Sequence, residues 1–155
     1  MAKTTPPDER QGVVIGVDTH KDQHVAVALD QHGARLGELS IRADSQGYQQ
    51  LHVWARNYGH VKTFGVEGTG SYGMGLMKSL RREGDRVIEV NRTDRRARHQ
   101  NGKSDPLDAE SAARSVLNGT ATNVPKSAEG TAVMIRQVKV ARDGATKARS
   151  VALRP

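Results

Sequence analysis

There is no cysteine in this 155-residue chain, which removes disulfides, thiolate metal sites and thiol nucleophiles together. Any metal must then be held by oxygen or by histidine. Aromatic residues are scarce, with one Trp, three Tyr and one Phe, so few remain for stacking on bases once a core is built. No apolar run approaches the ~20 residues that a spanning helix requires, and the N-terminus has no signal-peptide pattern. The composition is that of a soluble, cytoplasmic chain. Acidic residues are in deficit, 17 Asp and Glu against 24 Lys and Arg for a formal net charge of +7. The favoured partner is therefore negatively charged, with nucleic acid ahead of an acidic membrane surface. At this length about two thirds of the unfolded surface can be buried, enough for one core.

Residues 1–11 are polar and contain two prolines, with nothing to bury, and read as a disordered lead-in. Residues 12–120 read as one catalytic-sized domain. Val13, Ile15 and Val17 alternate with Val14, Gly16 and Asp18, the pattern of a buried strand that ends in a carboxylate. A second strand follows from His24 to Leu29, then a turn at 30–33 and a third strand from Arg35 to Ile41, which together make an antiparallel meander. Helical spacing through Tyr48, Leu51, Val53, Trp54 and Tyr58 follows the capping candidates Asp44 and Ser45. Strand 62–67, helix 71–82 and strand 86–90 continue the chain, and a further helix is expected from Pro106 to about Asn118. Three antiparallel strands followed by parallel strand-helix units is the order of an α/β, ribonuclease H-like mixed sheet. Between Arg81 and Lys103 there are eight basic and four acidic residues, so Arg92, Arg95, Arg96 and Arg98 are candidate phosphate contacts. Residues 121–155 read as a linker and a basic helix with Val133, Ile135, Val138 and Val140 as its apolar side.

Asp18 and Glu67 stand at the carboxyl ends of strands that this order makes parallel neighbours, the edge of a sheet where ligands collect. Asp105 and Asp108, three apart at a helix start, share one face. Pro106 disfavours helical geometry at Asp105, which makes Asp105 the expected N-cap. Asp108 lies beside the Ala109, Ala112, Ala113 and Val116 stripe that should meet the sheet. Four converging carboxylates repel unless a divalent cation neutralises them. Two Mg²⁺ ions (or Mn²⁺) ~4 Å apart suit such a set, one activating an attacking oxygen and the other stabilising a leaving one. Three of the four also have a plain structural use: Asp105 as a cap, Asp108 as a helix-dipole partner and Asp18 as a turn former. Glu67 has no obvious one. His20 and His24 stand at helical spacing across a strand start, which argues against a metal pair, although His20 is close enough in sequence to bond near Asp18.

The run Gly68-Thr69-Gly70-Ser71-Tyr72-Gly73 fits the dinucleotide fingerprint between a strand and a helix, with Glu89 where a ribose-binding acid would stand. A preceding antiparallel meander and Glu67 beside the first glycine argue instead for a tight turn. Three motifs in order, Gly16-Val17-Asp18-Thr19-His20-Lys21, Glu67-Gly68-Thr69-Gly70-Ser71-Tyr72 and Lys103-Ser104-Asp105-Pro106-Leu107-Asp108-Ala109, resemble those of the DEDD transposases of the insertion sequence 110 family, whose N-terminal domain looks like a RuvC-type Holliday-junction nuclease. The resemblance implies that Asp18, Glu67, Asp105 and Asp108 form the catalytic metal site, with Lys21, Thr69, Tyr72 and Lys103 in support against nucleic acid. It implies DNA strand cleavage and exchange in transposition, a structured guide RNA, a homo-oligomer in the full-length protein, and a further C-terminal domain with a serine nucleophile. The present chain is expected to be a truncated copy, inactive alone in strand transfer. The alternatives are a non-catalytic nucleic-acid binder with the same fold, and a dinucleotide-binding fragment.

Overall fold

The structure is a computed structural model that describes residues 12–91 and 104–126, together with the exposed helical positions Lys139, Ala141, Arg142 and Ala145. The lead-in 1–11, the basic segment 92–103 and the expected apolar residues Val133, Ile135, Val138 and Val140 lie outside the described residues. The chain divides into two compact units, 1–125 and 126–155, and all the elements named below belong to the first.

Five strands form one sheet in the order β3-β2-β1-β4-β5. They are β1 (Gly12–Thr19), β2 (Gln23–Leu29), β3 (Arg35–Arg42), β4 (His60–Glu67) and β5 (Val87–Val90). The first three pair antiparallel, and β4 and β5 then add parallel beside β1. This is the ribonuclease H-like mixed sheet that the order of elements in the sequence anticipates. Every residue of β1 is buried, because a central strand covered on both faces has no solvent side for a polar residue.

Among the described residues three helices cover the sheet: α1 (Ser45–Arg56), α2 (Met74–Arg82) and α3 (Asp105–Leu117). Asp44 caps α1 by accepting from the Gly47 amide at 2.9 Å. Leu51 and Ala55 bury the inner side of α1 while Val53, included in its apolar series by the sequence reading, is 63% exposed. The helix ends at Arg56, and Tyr58 just beyond it meets Trp54 edge to face with ring centroids 5.2 Å apart. α2 begins three residues later than the spacing predicts, since Ser71–Gly73 are taken up in the turn after β4.

Strand parity assigns the two faces. Val14, Gly16 and Asp18 pair with Leu29, Val27 and Val25, and Val14, Val25, Val27 and Leu29 form a core with Ala109 and Ala113 of α3. The alternate residues of β2 point to the other face, where His24 stacks on Tyr48 of α1 with parallel rings 5.9 Å apart. α3 sits unusually low on its face. Gly16 and Gly65 are register partners. A Cβ on Gly16 would lie 2.0 Å from the Ala109 carbonyl oxygen and 2.4 Å from the Ala113 amide nitrogen, and one on Gly65 would lie 2.6 Å from a Val116 methyl. Two facing glycines therefore cut a groove into which the backbone of α3 descends, with alanines at its floor.

After α3 the chain returns to β5. The Glu89 amide donates to the Asn123 carbonyl at 2.7 Å in a single antiparallel bridge, and Arg81 donates to the Pro125 carbonyl at 2.6 Å. Among the described residues no helix is long and apolar enough to cross a membrane.

Candidate metal centre

Parity places Asp18 on the face that carries α3, and Glu67, two residues beyond Gly65, on the same face of β4. The last register pair of the two strands is Val17 with Val66, so the next step sets the backbones of Asp18 and Glu67 side by side. The Thr19 hydroxyl locks that edge by donating to the Glu67 carbonyl at 2.8 Å. Both acids are 2% exposed. α3 brings its first turn, with Asp105 and Asp108, over the same edge.

The start of α3 differs from the sequence reading by one residue. Ser104 occupies the N-cap position with extended backbone, and its carbonyl receives the amides of Leu107 and Asp108 at 3.1 and 3.2 Å. Asp105 is thus the first helical residue, and Pro106 falls inside the first turn, where a missing N–H leaves no bond unmade. The three-residue spacing still puts both acids on one face, and the Asp105 carboxylate is left available for the site.

His20 completes the cluster. Its Nε2 lies 2.9 Å from Asp18 Oδ2 and 3.4 Å from Asp105 Oδ1, and one donor atom from each of Asp18, His20 and Asp105 fits within 4.8 Å of the others. Burial pushes the Asp18 carboxyl above its ordinary range, the His20 imidazole opposes that rise, and the negative charges of Asp108 and then Asp105 reinforce it. The electrostatics therefore set Asp108 in the same group. An anion kept in such a place is unfavourable unless a cation is bound. Two hard oxygen donors and one imidazole within cation-bridging reach fit a divalent metal.

The remaining residues singled out from the sequence separate clearly. Lys21 is exposed in the turn after β1, beside His20, and Tyr72 is 53% exposed in the turn after β4. Thr69 is instead buried, and its hydroxyl donates to Glu89 at 2.6 Å. That bond takes up the acid which a dinucleotide reading would assign to a ribose. The Gly68 turn has φ +64° and its carbonyl accepts the amides of Ser71 and Gly73, so the glycine run tightens a strand-to-helix connection. Arg92, Arg95, Arg96, Arg98 and Lys103 lie outside the described residues. The sequence reading set His20 aside because it compared the residue with His24 at helical spacing. The signal lay in Asp18-Thr19-His20, because residues two apart in an extended chain point the same way.

A mixed sheet of this order, with acids gathered at the carboxyl edge of its central parallel pair, defines an α/β domain with a ribonuclease H-like sheet. A family model described as transposase, that of the DEDD transposases of insertion sequence 110, matches residues 15–154. The chain belongs to this family. Among curated proteins no sequence matches it. Among solved structures it is similar to Thermus thermophilus RuvC in complex with a Holliday junction substrate, at 12% identity and a TM-score of 0.47, covering 72% of this chain and 98% of that one. The fowlpox virus Holliday junction resolvase aligns at 8% identity and a TM-score of 0.49, covering 70% and 98%. The large terminase nuclease from thermophilic phage G20c with bound zinc aligns at 14% identity and a TM-score of 0.48, covering 74% and 84%.

Proposed function

We propose that Asp18, Glu67, Asp105 and Asp108 hold Mg²⁺ or Mn²⁺ at the carboxyl edge of the sheet, and that residues 12–120 form a metal-dependent domain that takes part in DNA strand cleavage and exchange in transposition. The observation that carries this reading is the meeting of a buried strand-end carboxylate, Asp18, with the first turn of α3. Cations bound by such a set activate an attacking oxygen and stabilise a leaving one. The chain's own part is positional. Asp18 and Glu67 are fixed by β1 and β4, the rigid elements of the site, while Asp105 and Asp108 arrive on a helix seated in the glycine groove. Lys21 and Tyr72, exposed in the turns after β1 and β4, would meet a phosphate and a base, and Arg92, Arg95, Arg96, Arg98 and Lys103 supply further positive charge in the sequence. A structured guide RNA, self-association of the protein, and a linker and basic helix over 121–155 belong to the same proposal.

The test is cleavage of labelled DNA carrying the flanks of the encoding element, with Mg²⁺, with Mn²⁺ and with chelator. Metal-dependent nicking by the wild type, reduced about 10²-fold or more in Asp18→Asn and in Asp108→Asn with DNA binding retained, is expected. Metal-independent binding with no nicking under any of these conditions would favour the non-catalytic nucleic-acid binder and overturn the proposal.

A further inference from the structure

We infer that His20 is itself a metal ligand, so that the site is a mixed nitrogen and oxygen centre that prefers Mn²⁺ to Mg²⁺. The inference rests on the metal-site reading above and goes beyond it, since the carboxylate set assigns no role to an imidazole. Donor atoms that share one six-coordinate cation at ~2.1 Å stand ~3 Å apart when they are neighbours in its coordination shell. The His20 Nε2 distances of 2.9 and 3.4 Å to Asp18 and Asp105 are of that size.

Three placements support a ligand over a surface histidine. The side chain is partly covered, 39% exposed, although it sits in a tight turn. Its backbone amide is anchored to the start of β2, donating to the Gln23 carbonyl at 3.1 Å and to His24 Nδ1 at 3.3 Å. That anchoring rests on an immobile ring, because His24 is fully buried and stacked on Tyr48. The one imidazole nitrogen then faces two carboxylates contributed by different elements, β1 and α3. As a ligand, the imidazole would offer its Nε2 lone pair to the cation that these two carboxylates share. An imidazole donor raises affinity along the order Mg²⁺ to Mn²⁺ more than a further carboxylate would, because Mg²⁺ keeps to oxygen while nitrogen suits the transition ions.

Pulsed electron paramagnetic resonance of the Mn²⁺-loaded full chain reads the contact without reference to activity. The expected result is a ¹⁴N modulation that changes to the ¹⁵N pattern when only histidine is ¹⁵N-labelled and that vanishes in His20→Gln. Titration calorimetry should show Mn²⁺ binding weakened about tenfold in that variant, with Mg²⁺ changed less than about threefold. Mn²⁺ binding that is lost in Asp18→Asn but carries no histidine coupling in the wild type would overturn this inference and leave the carboxylate site standing. Coupling that persists in His20→Gln would assign it to another histidine and overturn it equally. Absence of saturable Mn²⁺ binding would overturn both readings.

Discussion

Replacing Gly16 by alanine adds one methyl group at the point where α3 touches the sheet. The new Cβ would stand 2.0 Å from a backbone oxygen and 2.4 Å from a backbone nitrogen, whereas real Cβ atoms essentially never approach closer than 3.0 Å. No side chain can rotate out of the way, so α3 must rise by about 1 Å or more, and overpacking of this kind costs ~1–3 kcal/mol. Backbone against backbone belongs at the upper end. Gly16 is not among the glycines with positive φ, so none of this loss comes from backbone strain. For a chain of this size ~3 kcal/mol corresponds to a fall in Tm of roughly 6–12 °C. The same lift moves Asp105 and Asp108 away from Asp18, and a displacement of ~1 Å at a reacting centre can lower its efficiency by about 10²-fold. Gly65→Ala is the internal comparison. Its nearest clash, at 2.6 Å, is with a methyl of Val116 that can turn aside, so a loss of ~1 kcal/mol is expected. Differential scanning fluorimetry and Mn²⁺ titration of both variants provide the measurements. A Gly16→Ala protein that melts within about 2 °C of wild type and binds Mn²⁺ unchanged would refute the seating of α3 in this groove.

In chelator, Asp18→Asn should be more stable than wild type near neutral pH, the gap closing as pH falls. The sign follows from a folded pKa raised above 3.8: the stabilising contribution is complete below 3.8 and is lost as pH rises through the folded value. An Asp18→Asn protein less stable than wild type in chelator at neutral pH would contradict it, and added Mn²⁺ should reverse the order. Asp44→Ala removes the only side-chain acceptor described at the start of α1 and should lower stability by ~1 kcal/mol, read from denaturant midpoints. DNA affinity should fall with a log-log salt slope near −4 to −5 if about five phosphates are neutralised, and Arg95→Ala should flatten it by about one. A salt-insensitive affinity would remove phosphate contacts from the proposal.

The strands were legible because β1 and β2 carry their burial in the alternation of small and branched apolar residues, and the meander-then-parallel order leaves few topologies. Asp18 was legible for the same reason, since a carboxylate within such a strand has no packing use. Other features depend on what lies across the sheet. Thr69, which the family resemblance sets in support against nucleic acid, is buried once β5 brings Glu89 to its hydroxyl. The depth of α3 depends on Gly16 and Gly65 being register partners, a relation between residues 49 positions apart that no local pattern expresses. Asp105 reads as an N-cap because proline restrains it, yet the helix starts one residue earlier with Ser104 as the boundary, a shift of the size that helix ends commonly show.

The return of the chain from α3 to β5 bears on self-recognition. β5 is a four-residue edge strand, and a bare edge of that kind is a template on which a second molecule can lay a strand of its own. The Glu89–Asn123 bridge occupies part of this template, and the Arg81 bond to Pro125 holds the covering segment beside it. The opposite edge, β3, is guarded differently, by the charged and largely exposed Arg35, Glu38 and Arg42 along its eight residues. With one border covered and the other charged, growth of the sheet from molecule to molecule is disfavoured at both ends. A second copy of this protein would then find neither described edge open to a strand of its own, and each would keep its five-stranded sheet as a closed unit.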